Sequence, residues 1–352
     1  MQAPALATLA IPPYIVLFVC SSAVVDFDPI RYGRVPHPDA TKEAVIGDTW
    51  AAAVAARPAT YNATKFRLEG AFVTPAVEGN SGGDGASAAA AAGATVTLQL
   101  GLTDYRTYVG THLGARDSPL AFWGHTRHLA LALGNAAVVV TSDGRVPLLR
   151  RSSAVAEGHG RYVVPGGHPE PSAMTVTHTD GGALPADAAA AAAATAAELT
   201  AAMAREIVEE LYLPPDAVPS DCLTLLGGVA RGGGCRRPQL CYTATLDVSS
   251  GTLEAAWAAG IGLHAATAAG ADENGIPAGA VTEAVESTEL VWLDEADVSV
   301  VASTGEARGG KKLMPEHWGA VALYWASRQG GEAKAAVSSV IDGAAGGGGE
   351  QE

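Results

Sequence analysis

Residues 198–210 read ELTAAMAREIVEE, a stretch whose apolar and charged residues alternate at helical spacing. Glu206 and Glu210 are four residues apart and Glu209 is three residues after Glu206, so one side of the helix carries three carboxylates. Like charges at this spacing repel each other. A divalent cation would turn the repulsion into a binding site, because Mg²⁺ prefers oxygen ligands, commonly one or two carboxylates together with substrate phosphates. The stretch therefore predicts a long metal-binding helix.

Composition narrows the classes of protein that this chain can be. Its 352 residues suggest one or two domains. The formal net charge of −15, without a run of Lys and Arg, argues against a nucleic-acid surface. An acidic enzyme for an anionic substrate then needs local cations or a metal. Four cysteines (Cys20, Cys222, Cys235, Cys241) show neither zinc-site spacing nor a dense disulfide framework, so a reducing compartment is expected.

The apolar stretch 12–25 has some features of a signal peptide. No Lys or Arg precedes it, however, and Asp26 and Asp28 follow closely. The run from Tyr14 to Val19 has the length of a buried strand and is too short to span a membrane. We therefore expect a strand here, no membrane association and a cytoplasmic protein.

Periodicity along the rest of the chain predicts mixed helices and strands. Helices are expected at 42–58, 195–212 and 315–328, and strands at 64–75, from 95, at 223–230, 239–248 and 288–293. A β-hairpin is expected from 136–141 and 146–150, and a strand leading into a Pro/Gly-rich loop at 161–171. These elements predict an α+β fold with a mixed sheet.

Segments of low complexity separate the predicted elements. Residues 77–94 and 182–194 are rich in Gly and Ala and are interpreted as insertions, the first as a mobile loop. Residues 250–285 show little periodicity, and the Gly/Ala-rich residues 329–352 predict a disordered tail.

Two parts of the sequence together carry a family resemblance. Val164-Pro165-Gly166-Gly167, followed by the helix with Arg205-Glu206-Ile207-Val208-Glu209-Glu210, resembles the Nudix box, G-x5-E-x7-R-E-U-x-E-E-x-G-U, in which U is aliphatic. Three departures are visible. Arg205 follows Gly167 by 38 residues, 24 more than the pattern has; Glu198 is one residue too close to Arg205; and Tyr212 replaces a Gly.

These departures are typical of one branch of the superfamily. The loop from Gly166 to Pro171 with an insertion behind it resembles the UDP-glucose and UDP-galactose diphosphatases of animals and their plant relatives. Further matching stretches are 65–67, 100–106 and 286–288, and 26–28 and 36–39 are similar to the plant members. The resemblance extends over about residues 14–328.

The resemblance implies a fold, a reaction and a domain division. The fold is a Nudix-type α/β/α sandwich at 134–328, with insertions near 172–194 and 250–285. An N-terminal α/β region at 1–133 would contribute to the nucleotide site. The reaction is hydrolysis of the pyrophosphate of UDP-sugars to UMP and sugar 1-phosphate, with Mg²⁺, or Mn²⁺ as the alternative, as the metal and a nucleotide sugar as the partner; the resemblance does not indicate an oligomeric state.

The helix carries the residues expected to perform the chemistry. By resemblance, Glu206 and Glu210 are metal ligands; the alternative is a solvated acidic face. Glu209 would be a third ligand or a base for the attacking water, unless it is a plain surface charge. Arg205 is expected to pair with a neighbouring carboxylate. Glu198, almost two turns earlier, would orient Arg205 or approach the metal.

Substrate-binding residues are expected in the loop and in the N-terminal region. His168 and Glu170 lie between prolines that restrict the backbone, and the resemblance makes both substrate contacts. Phe66 and Tyr105 resemble aromatic residues on which uracil stacks, although an aromatic residue in a strand is often core.

Arg151 is a candidate for a phosphate or ribose, since guanidinium groups bind oxyanions well. Arg150 is the alternative, because neighbouring strand residues face opposite sides. Ser287 is a further substrate-contact candidate. His112, His125 and His128 lack carboxylate or Cys partners at metal-site spacing, and we interpret them as surface histidines.

Two other functions remain open at the level of sequence. One is a Nudix hydrolase that acts on another nucleoside diphosphate derivative, such as ADP-ribose or CoA. The other is a Nudix-fold binding module without catalysis. Retention of Glu206, Glu209 and Glu210 argues against the second, because clustered charge is costly without a cation.

Overall fold

The computed structural model of the chain describes residues 14–20, 22–74, 95–114, 118–155, 157–171, 187–232, 234–270 and 286–329, without the side chains of 15 and 264–270. The predicted insertion 77–94, the residues 172–186 and 271–285, and the tail after 329 lie outside these ranges.

Twelve strands are present in the described residues. They are β1 (Tyr14–Val19), β2 (Ala23–Phe27), β3 (Thr64–Thr74), β4 (Thr95–Asp104), β5 (Gly134–Val140), β6 (Val146–Arg151), β7 (Tyr162–Val163), β8 (Leu223–Arg231), β9 (Pro238–Thr245), β10 (Ser287–Leu293), β11 (Glu306–Ala307) and β12 (Lys311–Lys312).

Seven α-helices accompany these strands in the same ranges. They are α1 (Ala40–Ala56), α2 (Tyr105–Tyr108), α3 (Pro119–Trp123), α4 (Ala188–Leu211), α5 (Ser250–Gly270), α6 (Glu295–Thr304) and α7 (Pro315–Arg328). A wider π-helical turn, Val109–Leu113, continues α2. The predicted α+β class is confirmed.

The strands form four sheets. The four-stranded sheet has the order β1-β8-β9-β5, in which β5 is parallel to β9 and the other pairs are antiparallel. A three-stranded antiparallel sheet has the order β10-β6-β7, and the N-terminal sheet has the mixed order β2-β4-β3. Strands β11 and β12 form a short hairpin.

Strand β5 shows how the four-stranded sheet is packed on both faces. Ala137 and Val139 belong to the same buried cluster as Met203 of α4. Ala136 and Val138 belong to the cluster that holds Val321 of α7. Successive strand residues point to opposite faces, so α4 and α7 lie on opposite sides of this sheet.

The cluster that contains α4 also includes buried side chains of β2, β3 and β4, such as Phe27, Phe66 and Leu98. The N-terminal sheet therefore packs against the same core as α4. This shared core brings the N-terminal region next to the acidic helix.

Helix α4 begins earlier than the sequence pattern indicated. It starts at Ala188, and the Asp187 side chain caps it by accepting hydrogen bonds from the backbone N–H groups of Ala189 and Ala190 (2.9 and 3.2 Å). The predicted start near residue 195 was too late, because alanine has the highest helix propensity and the aspartate supplies the cap. Residues 250–270 were likewise not loosely organised, since they form α5.

The predicted hairpin at 136–150 is correct only as a turn. The N–H of Thr141 donates to the carbonyl of Arg145 (3.0 Å), which closes the turn. The two flanking strands then pair with different partners, β5 with β9 and β6 with β10. Turn residues establish the reversal, but long-range pairing decides which sheet each strand joins.

The N-terminal strand agrees with the prediction. Tyr14–Val19 is a strand, as predicted, and it pairs with β8. Within the described part of the chain, no helix has the length and apolar character needed to cross a membrane.

Candidate functional site

A cavity of about 400 Å³ lies where α4, the loop after β7 and the N-terminal region meet. Residues of the acidic helix, of the Gly166–Glu170 loop and of β3 line it together. A cavity of this size suits a small organic ligand. Residues from before and after position 134 therefore line one site together.

The glycine loop approaches the acidic helix very closely. A Cβ added to Gly167 would lie 2.0 Å from Oε1 of Glu206, so no other residue fits there without a shift. The N–H of Gly166 donates to Oε2 of Glu210 (3.2 Å). The two parts of the sequence motif, separated by 38 residues, thus meet at the carboxylates of Glu206 and Glu210.

Negative charge accumulates at these two carboxylates. Burial, followed by the charges of Glu209 and Glu286, raises the pKa of Glu206 to about 7. Burial, followed by Glu206 and Glu286, raises the pKa of Glu210 well above its usual value. A raised pKa means that the protein stabilises the charged form poorly.

A divalent cation fits these residues, because it would compensate the charge that the surrounding protein groups leave. No cluster of three or more His, Cys, Asp or Glu side chains arranged to hold a metal occurs among the described residues. An ion held by Glu206 and Glu210 would therefore complete its coordination with water and substrate oxygens, as Mg²⁺ commonly does.

The remaining charged residues of α4, Glu198, Arg205 and Glu209, do not line the cavity. Arg205 is half-exposed, and its guanidinium donates to Oε1 of the buried Glu198 (2.5 Å). This agrees with the expectation that Arg205 pairs with a carboxylate and that Glu198 orients it. Neither Arg205 nor the exposed Glu209 lines the cavity, but the charge of Glu209 acts on Glu206 from a distance.

Cations line the part of the cavity that α4 does not provide. They are Lys65 of β3, Arg151 of β6, Arg237 before β9 and Arg57 after α1. Arg151 is the arginine that reaches the cavity, whereas Arg150 is exposed and does not line it. A cavity with carboxylates on one wall and cations elsewhere can bind a metal together with an anionic ligand.

A closed network of charges lies behind these cations. Arg231 forms a two-pronged contact with the fully buried Glu316 (3.0 and 2.8 Å), and Arg237 reaches the same carboxylate (2.5 Å). Glu157 pairs with both arginines. Burial alone would raise the pKa of Glu316, but Arg237 and Arg231 hold it well below the usual value.

The loop residues His168 and Glu170 line the cavity as expected. Burial, with Arg237 and Lys65 adding to it, lowers the pKa of His168 well below its usual value, so this imidazole is neutral. Within the described residues its Nε2 has no hydrogen-bond partner. Glu170 accepts from the ammonium group of Lys65 (2.5 Å), which links the loop to β3.

Tyr105 lines the cavity, next to a second tyrosine that the sequence did not single out. The rings of Tyr105 and Tyr108 stack with centroids 6.0 Å apart, and Tyr108 lies 5.4 Å from the ring of His168. The phenol of Tyr108 accepts from Arg237 (2.8 Å). Tyr105 therefore belongs to an aromatic wall that the charge network anchors.

Two substrate-contact predictions do not agree with the structure. Phe66 is fully buried in the core and packs edge to face on Phe27 (6.2 Å), so its ring does not reach the cavity. Alternation along β3 turns Lys65 to the cavity instead. Ser287 is buried and does not line the cavity either, whereas its neighbour Glu286 does.

The sequence analysis did not predict several of the residues that line the cavity. They are Arg57, Lys65, Asn135, Glu157, Arg237, Gln239, Glu286 and His317. Lys65 and Glu286 lie within stretches that carry the family resemblance, which is a usable signal. The others stand alone in strands and helix ends, where no local spacing marks them.

The interpretation of the histidine group as surface residues was wrong for two of its members. His112 and His128 are buried, and only His125 is exposed. His112 stacks on Tyr108 (5.2 Å) and its Nδ1 bonds Oγ1 of Thr111 (2.9 Å). The ring of His128 bonds the carbonyl of Val35 (2.8 Å), so these rings serve packing.

Tyr212 explains how one departure from the box is accommodated. It adopts the left-handed conformation (φ 53°) that ends α4, a place where glycine is favoured. Its ring covers Gly260 of α5, where an added Cβ would lie 2.1 Å from the ring. Helix α5 therefore provides the room that the large side chain requires.

Comparison with known proteins finds relatives that are named as Nudix hydrolases or as UDP-glucose pyrophosphatases. The chain is 36% identical over 163 residues to Nudix hydrolase 9 of Arabidopsis thaliana, covering 45% of this chain and 49% of that protein. It is 29% identical over 303 residues to uridine diphosphate glucose pyrophosphatase NUDT22 of Bos taurus, covering 83% and 88%. The Homo sapiens protein of the same name is 34% identical over 171 residues, covering 47% and 50%. No protein-family model matches the sequence.

The chain is thus similar in sequence to proteins named as Nudix hydrolases and as UDP-glucose pyrophosphatases, in agreement with the resemblance that the sequence motifs carry. The matched region is about half the length of the Arabidopsis and human relatives and most of the length of the bovine one.

Proposed function

We propose that this chain hydrolyses the pyrophosphate bond of UDP-sugars, such as UDP-glucose and UDP-galactose, to UMP and sugar 1-phosphate, with Mg²⁺ as the metal and Mn²⁺ as a possible substitute. The observation that carries the proposal is the division of charge in one cavity. Glu206 and Glu286 line the cavity, and Glu210 interacts with both of them; Lys65 and Arg151 are among the cations that line it.

The relatives support the choice of substrate. The bovine and human proteins carry the name uridine diphosphate glucose pyrophosphatase, and the bovine match extends over 83% of this chain. A nucleotide sugar is also a chemical match to the cavity, because it combines a base, two phosphates and a neutral sugar. The cavity offers an aromatic wall, cations and neutral polar side chains to those parts.

Within this proposal Glu206 and Glu210 would hold the metal, which when bound neutralises phosphate charge and acidifies water. Lys65 and Arg151 would bind phosphate oxygens through charge-assisted hydrogen bonds. Glu209, although exposed, would aid the chemistry as a water-positioning base or by its charge on Glu206. Arg205 would hold the acidic face through Glu198.

The nucleotide end would rest against Tyr105, with His168 and Glu170 as further contacts. Stacking on a tyrosine ring is compatible with any base, so the hydrogen-bonding groups of the loop would select uracil. Because Glu170 holds Lys65, binding there would link recognition of the nucleotide to recognition of phosphate.

The fold assignment belongs to the same proposal. The arrangement of α4 and α7 on opposite faces of the mixed sheet would be the Nudix-type α/β/α sandwich, in a domain at 134–328. The region before residue 134 would be an N-terminal α/β extension that contributes Lys65 and Tyr105 to the site.

The direct test is to incubate purified protein with UDP-glucose and UDP-galactose, with Mg²⁺ or with EDTA, and to measure UMP and sugar 1-phosphate by chromatography. We expect both products only with the metal, and none from Glu206→Gln. Turnover of ADP-ribose or CoA alone would move the substrate specificity. Binding of nucleotide sugars without turnover of any would make the chain a binding module.

A further inference from the structure

The wall of the cavity contains three buried polar side chains that the charge network leaves unused. They are Asn135 on β5, Gln239 on β9 and His317 in the first turn of α7, exposed by 1%, 4% and 6%. None of the three carries the family resemblance in the sequence. All three nevertheless line the same cavity as the carboxylates and cations.

Hydrogen bonds fix two of these side chains, and in Asn135 they leave one polar group without a partner among the described residues. Oδ1 of Asn135 accepts from the N–H of Gly167 (3.0 Å), which orients the amide. Its Nδ2 is buried and has no hydrogen-bond partner within the described residues. Gln239 lies opposite Gly134 in the sheet, and its amide donates to the carbonyl of Glu316 (3.3 Å), the residue before His317.

His317 supplies a neutral ring to the same wall. Burial lowers its pKa to about 3; Glu316 opposes this shift, while Arg151 and Arg237 add to it. A neutral imidazole has one N–H donor and one acceptor nitrogen. Nδ1 of this ring has no partner among the described residues, although it is buried. The pair Asn135 and His317 thus presents unmatched hydrogen-bonding atoms without net charge.

Buried polar atoms without partners are rare in folded proteins, because no hydrogen bond offsets the free energy lost when they are removed from water. When such atoms lie on a cavity wall, a ligand or water that enters the cavity can satisfy them. A phosphate would gain more from Lys65 and Arg151, which are charged and line the same cavity. An amide donor together with a neutral imidazole matches a hydroxyl group, which both donates and accepts.

We propose that Asn135 and His317, with Gln239 as a support that fixes the start of α7, form a hydroxyl-binding subsite for the sugar of the nucleotide-sugar substrate. The inference rests on the proposed function and adds the residues that would recognise the sugar. Sugar ring and ribose share the same hydroxyl chemistry, so the experiment must separate these two sources.

The experiment compares two substrates in the presence of Mg²⁺: UDP-glucose, and the methyl ester of UDP, in which a methyl group replaces the sugar. The measured quantity is the ratio of the two kcat/KM values, because general damage to phosphate binding cancels in it. The variants are Asn135→Asp, which keeps Oδ1 for Gly167, and His317→Phe, which keeps a ring. Loss of a polar contact to the sugar should lower the ratio about tenfold in each.

The matched control is His128→Phe, since His128 is a buried histidine that does not line the cavity. Its ratio should equal that of the wild type, and thermal unfolding of each variant verifies that it folds. An unchanged ratio in both variants would overturn the subsite. A contact to the ribose would give this result, because it would lower kcat/KM equally for both substrates. A wild-type protein that hydrolyses neither compound would refute the proposed function itself, and the subsite with it.

Discussion

Two groups of charged residues, each with members that line the cavity and members behind it, differ in how their charges are compensated. On the network side, Arg231 and Arg237 are matched by Glu157 and Glu316, so buried charges of both signs compensate each other. On the helix side, the carboxylates of Glu206 and Glu210 lie together, and their pKa values are raised rather than lowered. Compensated charge therefore stabilises the folded protein, whereas uncompensated negative charge favours the binding of a cation.

This difference also separates structural from functional residues more reliably than burial does. Glu316 is completely buried and Glu206 is half-buried, yet the less buried residue has the raised pKa. The partners decide the outcome, because a carboxylate next to two guanidinium groups is stabilised and one next to other carboxylates is not.

The largest expected effect comes from removing the uncompensated charges. Glu206→Gln or Glu210→Gln should lower Mg²⁺-dependent kcat/KM for UDP-glucose by roughly 1000-fold or more, since several kcal/mol of charge stabilisation depend on the metal. The fold should remain, as circular dichroism and thermal unfolding without metal would show, because the substitution removes repulsion.

Glu209→Gln decides between the two roles proposed for Glu209, a base or a charge that acts on Glu206, since this carboxylate is exposed and does not line the cavity. It should have a much smaller effect. A loss of about 100-fold or more in this variant would instead be the size that a general base contributes, and it would extend the functional wall to Glu209.

A substitution in the compensated charge network should lower the stability of the fold. Glu316→Gln leaves two buried guanidinium groups short of a partner, and we expect the free energy of unfolding at pH 7 to fall by about 3–5 kcal/mol. Urea titration measures this change. Glu254→Gln, at an exposed position of α5, should stay within about 0.5 kcal/mol of the wild type.

The same variant predicts a pH dependence. The pKa of Glu316 is lower in the folded protein than in the unfolded chain, where it is about 4.3. Its contribution is therefore complete above that value and is lost as the pH falls through the lower, folded pKa. The difference between wild type and Glu316→Gln should narrow below about pH 4; a difference that grows on acidification would contradict the network.

A smaller effect is expected at Lys65, a cavity cation that is not part of the charge network. Among the described residues, the ion-pair partner of Lys65 is the half-exposed Glu170, so the ammonium group can turn to a phosphate. Lys65→Ala should raise KM for UDP-glucose roughly tenfold, the value of one charge-assisted hydrogen bond. Lys42→Ala, outside the cavity, should leave KM unchanged; equal effects of both variants would show a general charge effect.

The smallest effect concerns the boundary between cavity and core. Tyr105→Leu should raise KM for UDP-glucose about tenfold through lost stacking. Phe66→Leu should leave KM unchanged and lower the free energy of unfolding by roughly 1 kcal/mol, because Phe66 is packed in the core. Steady-state kinetics and thermal unfolding of both variants separate the two roles. A higher KM for a stably folded Phe66→Leu would restore it to the site.

Local rules were sufficient where one helix face carries the information. Glu206 and Glu210 could be recognised from their spacing and from the glycine loop, and β3 and α7 from periodicity. Local rules failed for Phe66, because strand alternation cannot tell which face of β3 meets the cavity until the sheet is packed. They also failed for α5, whose Ala and Gly content conceals a helix of 21 residues.

The sequence by itself determined the acidic helix, the glycine loop and the family resemblance, because these depend on residues close together or on a recurring motif. The tertiary structure alone decided that Arg231, Arg237, Glu157 and Glu316 meet, and that Asn135 and His317 share one cavity wall. Those residues come from separate strands, loops and helix ends. Charge compensation and unmatched hydrogen bonds are properties of neighbours in space, and only folding makes these residues neighbours.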